Sequence, residues 1–116
     1  MELFGHEKLD VYRAALEYVR LVYQWAETLK GFNRHARDQM LRASQSIPLN
    51  IAEGNGKSSP GDRRRYFEIA RGSALECAAI QDVLVIGGAL TKEQSGQGKR
   101  LLVRIVSMLS KLAQRR

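Results

Sequence analysis

Asn50-Ile-Ala-Glu-Gly-Asn-Gly-Lys-Ser-Ser-Pro-Gly-Asp62 is the stretch that decides the fold. Its Gly56-Lys57-Ser58 looks like the tail of a phosphate-cradling loop. Such a loop has the pattern Gly-x4-Gly-Lys-Ser/Thr and follows a β-strand. Counting back five positions from Gly56 reaches Ile51, not glycine. The preceding residues, Ile47 to Glu53, read as helix rather than as a buried strand. Both requirements fail, so the stretch reads as a corner between two helices. Gly54 and Gly56 then supply the left-handed or open backbone of a helix exit. Ser59 is the expected N-cap of the next helix, with Pro60 at its first position and Asp62 in its first turn.

On both sides of the corner apolar residues recur at helical spacing, and strand signals are nearly absent. The spacing predicts helices over about 8–30, 34–54, 60–87 and 92–114 within one domain, 1–116. Helix one carries two apolar series at alternating three and four residues. Leu9, Tyr12, Leu16, Val19, Tyr23 and Ala26 form the first. Val11, Ala15, Tyr18, Val22, Trp25 and Leu29 form the second. At helical pitch the two stripes lie roughly 110° apart, wider than one core needs. A second packing partner, most simply another copy of the chain, accounts for the surplus. Asn33 is placed to cap helix two, and Pro48 inside it implies a kink or a lost hydrogen bond. Gly87-Gly88 stops helix three, and Thr91 to Gln94 reads as a capping box opening helix four. Leu101, Leu102, Ile105, Met108, Leu109 and Leu112 form that helix's apolar face. Short connections make successive helices antiparallel neighbours. The expected fold is all-α: an antiparallel up-down-up-down four-helix bundle.

A chain of 116 residues with 44% hydrophobic and 27% charged residues fits a single soluble globular domain. No run approaches the ~20 apolar residues of a membrane span. The N-terminus lacks the apolar stretch of a signal peptide. Cys77 is the only cysteine, which excludes an internal disulfide and favours a cytoplasmic location. The net charge of +7 is uneven: residues 1–33 carry four Lys/Arg and five Asp/Glu, whereas residues 34–116 carry fifteen and seven. That excess suits an acidic partner such as nucleic acid.

Polar residues fall where a core is expected. Gln39, Ser46, Asn50 and Glu53 share a stripe of helix two, and Ser73 and Glu76 interrupt the stripe Ile69, Ser73, Glu76, Ile80, Val83. Buried, they must be hydrogen-bonded. A hairpin turning near Ser58 sets Glu53 near Arg63 and Arg64, Asn50 near Tyr66, and Glu76 near Gln39 and Arg42. A di-metal carboxylate site needs Glu-x-x-His on two helices. Gly56 follows Glu53 and Ala79 follows Glu76 at that spacing, and the only histidines are His6 and His35, so no metal site assembles. Cys77 shares a seam with Phe67, Ala70, Ala74 and Leu84 and reads as core. No nucleophile–base pair forms. The six polar residues read as a register-fixing network, and no enzymatic activity or cofactor is expected.

Gln39-Met-Leu-Arg-Ala-Ser44, followed by Ser46-Ile-Pro-Leu-Asn-Ile-Ala-Glu-Gly54, resembles the signature of the four-helix bundle proteins encoded in 23S ribosomal RNA intervening sequences. Ile69-Ala-Arg-Gly-Ser-Ala-Leu-Glu76 resembles their second signature. The accessory proteins of diversity-generating retroelements are related. The resemblance implies a four-helix bundle, a closed homopentameric ring and no known enzymatic activity. For the retroelement relatives it implies nucleic-acid binding through a basic surface and contact with a reverse transcriptase, a nucleic-acid-processing protein. The chain departs at Asn33-Arg34, where relatives often have Phe-Pro, and at the glycine-bearing start of helix four.

The candidate nucleic-acid contacts are Arg34, Arg37, Arg42, Lys57, Arg63, Arg64, Arg65, Arg71, Lys99, Arg100 and Arg104. Arg63 to Arg65 open helix three, where cations oppose the macrodipole and so do not serve helix stability. Phosphate contacts from such residues are independent of sequence. The alternative function is a protein-interaction scaffold whose charge is incidental.

Overall fold

The computed structural model describes residues 3–114. Four α-helices follow one another: α1 Asp10–Ala26, α2 Arg34–Asn55, α3 Pro60–Ile86 and α4 Lys92–Gln114. Short 3-10 turns, Gly5–Lys8 and Gly31–Asn33, precede α1 and α2. No strand occurs among the described residues. Each helix packs on the next and α4 returns to α1, so the four enclose one core. Among the described residues no helix is long and apolar enough to cross a membrane.

The core is built from one face of each helix. α1 contributes Val11, Ala15, Tyr18, Val22 and Trp25, the second of its two apolar series. The first series is only partly covered: Leu9 and Tyr12 pack against the core, whereas Leu16 and Tyr23 are about half exposed. α2 contributes Met40, Ala43, Ile47 and Ile51; α3 contributes Phe67, Ala70, Ala74, Cys77 and Leu84; α4 contributes Leu102, Ile105 and Leu109. Between α2 and α3, Ser46 meets Ser73 and Gly54 meets Phe67. Between α3 and α4, Gln81 meets Ser95 and Arg71 meets Ser110.

Helix α1 is shorter than its spacing suggests. Its start is taken by the 3-10 turn, whose Glu7 carboxylate accepts from the Phe4 N–H. Its end tightens after Ala26, where Thr28 and Leu29 donate to carbonyls three residues back. Asn33 does not cap α2 with its side chain; it closes a 3-10 turn in helical conformation, so its side chain is not aimed at the free N–H groups. Ser59 does cap α3, its Oγ accepting from Asp62 N at 3.2 Å. Thr91 and Gln94 exchange bonds of 3.0 and 2.8 Å as a capping box. Helix α2 runs through buried Pro48 without interruption.

The corner glycines differ from expectation. Neither Gly54 nor Gly56 is left-handed; among the described residues only Gly31 and Gly88 have positive φ. Gly54 matters by size. A Cβ there would lie 2.8 Å from the Phe67 ring and 3.1 Å from Tyr66 Cβ. The missing side chain lets α3 approach α2 where the chain reverses.

A polar chain crosses the core. Tyr18 Oη donates to Gln81 Oε1 at 2.6 Å, and Gln81 Nε2 donates to Ser95 O at 2.9 Å and Ser95 Oγ at 3.0 Å. Three helices are tied through one buried amide, with no buried polar side-chain atom left unpaired among the described residues. Burial raises the Tyr18 hydroxyl far above its ordinary pKa, and Cys77 beside it adds to the effect. Burial likewise pushes the Cys77 thiol up to about 12, partly offset by the Tyr18 hydroxyl beside it.

Candidate nucleic-acid interface

The buried seam of α3 runs through Phe67, Ala70, Ala74, Cys77, Gln81 and Leu84. That rotation carries Ile69, Glu76 and Val83 of the neighbouring stripe outward, leaves Ser73 half-buried and Ile80 in the core, and corrects the expected polar network. Glu76 is exposed and meets neither Gln39 nor Arg42. Glu53 is exposed and pairs with Lys57 at 3.6 Å, one turn away on its own side of the corner, instead of with Arg63 or Arg64. Asn50 donates to Ser46 O at 2.8 Å and to Ser46 Oγ at 2.9 Å, not to Tyr66. Ser73 donates to Ser46 Oγ at 2.9 Å. This half-buried chain of Asn50, Ser46 and Ser73 joins α2 to α3; Gln39 takes no part in it. The polar core network is a different set, Tyr18, Gln81 and Ser95. Gln81 was legible: it follows Cys77 by four and precedes Leu84 by three in the seam.

The eleven nominated cations separate into groups. At the α2–α3 corner, Arg63 Nη1 donates to Asn55 O at 2.9 Å and Lys57 O at 3.2 Å, which caps the end of α2. Its guanidinium lies over the Phe67 ring, 5.6 Å from the centroid. Lys57 and Arg65 lie 5.3 and 5.0 Å from the Tyr66 centroid. These three are engaged with protein partners. On α2, Arg34 and Arg42 are exposed, and Arg37 binds Asp38 at 3.1 Å. Lys99 is paired with Asp82 across α3 and α4.

The remaining cations gather along α4 and the edge of α3 that faces it. Arg71 Nε donates to Ser110 Oγ at 2.9 Å, and Arg64 lines the same shallow groove with Glu68 and Gln114. Arg100 and Arg104 are exposed, and Lys111, not nominated from the sequence, is exposed beside them. Offsets of four and seven residues place these three on one stripe, spanning about 16 Å along the helix axis. Helix α4 carries five Lys/Arg against one Asp/Glu, whereas α1 and α3 each balance to zero. Among the described residues none of Arg64, Arg71, Arg100, Arg104 and Lys111 meets a carboxylate within salt-bridge distance.

Four helices around one core, with cations concentrated on an outer helix, define a small all-helical protein with a basic exterior. Residues 7–111 match the model of the 23S rRNA-intervening sequence protein family, and the chain belongs to that family. Its fold is similar to that of a crystallised protein of unknown function from the S23 ribosomal protein family of Bacteroides thetaiotaomicron. The TM-score is 0.81 at 23% identity, over 90% of this chain and 99% of that one. No curated protein matches the chain.

Proposed function

We propose that this protein is a non-enzymatic, cytoplasmic homo-oligomer that binds RNA or DNA through sequence-independent phosphate contacts. Its helices alternate up and down, and its copies close into the pentameric ring that the family resemblance implies. The facing pairs Ser46–Ser73 and Gly54–Phe67 between α2 and α3, and Arg71–Ser110 and Gln81–Ser95 between α3 and α4, support the alternation, because partner numbers fall on one helix as they rise on the next. A nucleic-acid-processing protein is the fitting second partner.

The observation that carries the binding proposal is the α4 stripe. Arg100, Arg104 and Lys111 are exposed and without carboxylate partners among the described residues. Unpaired cations cost little to hold at the surface and release the counterions condensed on the phosphates they neutralise. The test is binding of scrambled-sequence RNA and DNA, followed by fluorescence anisotropy across a salt series. Affinity should fall steeply and linearly on logarithmic axes, with little dependence on sequence. A flat salt response would remove the phosphate-driven mode and leave the protein-scaffold reading.

A further inference from the structure

The outward side of α3 carries a second seam. Ile69, Gly72, Glu76, Ala79, Val83 and Ile86 follow one another at three, four, three, four and three residues, the spacing of a helix-packing stripe. All six are exposed, Val83 at 65% and Ile86 at 89%. A helix that is apolar on two sides expects to be covered on both. The core covers only the inner side.

The first apolar series of α1 has the same spacing, and no other element of the chain covers its Leu16 or Tyr23 fully. The two outer seams match in three ways. Leu16 and Tyr23 are large and seven residues apart; Gly72 and Ala79 are small and also seven apart. A Cβ at Gly72 would meet nothing within 4 Å, so the surface is open to close approach there. Glu76 lies between the two small residues, and Arg20 lies between the two large ones. Among the described residues neither has a salt-bridge partner. Within one chain α1 and α3 sit diagonally and meet across the core, as at Tyr18 and Gln81, while Leu16, Tyr23 and the α3 seam stay exposed on the outside. The seams therefore cannot satisfy each other inside a single copy.

We propose that the outer seam of α3 is the docking surface for the outer seam of α1 of a second copy, with Leu16 and Tyr23 over Gly72 and Ala79 and with Arg20 against Glu76. This rests on the homo-oligomer reading above and names the surfaces through which it operates. The two seams differ, so the contact is heterologous: each copy offers one face and accepts the other, which closes a ring or extends a filament. Glu76 then finds its partner in the neighbouring copy.

The test is the mass of the full chain in solution, by light scattering over a concentration series. Gly72→Leu puts a bulky side chain on the seam with its Cβ clear of its own copy and replaces a helical glycine, so it should keep helicity and unfolding midpoint while blocking assembly. Glu76→Arg sets like charges together and should weaken association at least about tenfold. Arg20→Glu in the same chain should restore it. An oligomeric wild type whose mass is unchanged by both Gly72→Leu and Glu76→Arg overturns the docking surface and leaves the homo-oligomer intact. A wild type that stays monomeric over the whole series overturns both. Assembly lost in Gly72→Leu and restored by the charge exchange in Glu76→Arg establishes the surface.

Discussion

Gly98 and Gly96 lie two residues apart in α4 and are expected to respond oppositely to the same substitution. A Cβ on Gly98 would lie 2.5 Å from Gln81 Oε1 and 2.7 Å from Trp25 Cη2. Neither neighbour gives way easily: the amide is held by Tyr18 and Ser95, and the indole is part of the core. Gly98→Ala should therefore destabilise by about 1–3 kcal/mol despite its gain in helix propensity. A Cβ on Gly96 meets only Arg100 Nη1 at 3.8 Å, an ordinary contact, so Gly96→Ala should stabilise by up to about 1 kcal/mol. Denaturant midpoints at constant slope check both. Cys77 sets a pH dependence. Burial raises its thiol from 9.0 to about 12. Below pH 9 the thiol is protonated in both states and costs nothing. Between 9 and 12 the unfolded chain loses the proton while the folded chain keeps it, so stability falls as pH rises. Tyr18, also raised by burial, acts in the same direction at higher pH. The unfolding midpoint should be flat from about pH 6 to 8 and decline above about 9, a slope that Cys77→Ala makes shallower whatever it does to the absolute stability. An unaltered slope in that variant would assign the alkaline loss elsewhere.

At the scale of the helices, the run Arg63-Arg-Arg65 divides by contact rather than by charge. Arg63 satisfies two carbonyls at the end of α2, including Lys57 O beyond the helix, and stacks on Phe67. Arg63→Ala should cost about 1 kcal/mol or more of stability, because those acceptors lose a charged donor. Arg64→Ala, with an exposed side chain, should stay within about 0.5 kcal/mol. Thermal melts of the two variants side by side decide the matter, and equal losses would contradict the capping role. This division was not legible in the sequence, where three adjacent arginines look alike. The helices were legible because Ser59-Pro60 and Thr91 to Gln94 are local stop-and-start chemistry, readable without tertiary contacts. The rotation of α3 was harder to read. Ile69 and Val83 are as apolar as Phe67, Ala70 and Cys77, so pattern alone marked two seams and did not say which faces inward. The choice is made by volume. Ala70 and Ala74 permit close approach to the neighbouring helices, and Gly54 makes room for Phe67. The polar residues of the outer stripe, Glu76 above all, followed that choice to the surface.

Across the whole molecule the charge is more localised than its total implies. The +7 of the chain comes chiefly from α4, with five cations and one acid, and that helix lies at the outside of the fold with its apolar face on the core. The sequence pointed to α3's first turn because three arginines stand together there, and it passed over Lys111 because that residue is distant in number from Arg100 while sharing its stripe. Helical geometry reverses the ranking: Arg100, Arg104 and Lys111 line up on one side, whereas Lys57, Arg63 and Arg65 are held by Tyr66, Phe67 and backbone carbonyls. A nucleic-acid backbone lying along α4 would meet three unpaired cations in succession, with Arg71 reaching α4 at Ser110. Replacing Arg100, Arg104 and Lys111 by Gln should leave helicity and melting temperature nearly unchanged, since none makes an ion pair among the described residues. If each neutralises one phosphate, the slope of log K against log salt should become shallower by about 2 on single strands and nearer 3 on duplex. Replacing Arg63 and Lys57 instead should lower stability while changing that slope less. The two variants separate a surface that binds phosphate from a corner that holds two helices together. A slope that the α4 variant leaves untouched would move the binding face off α4.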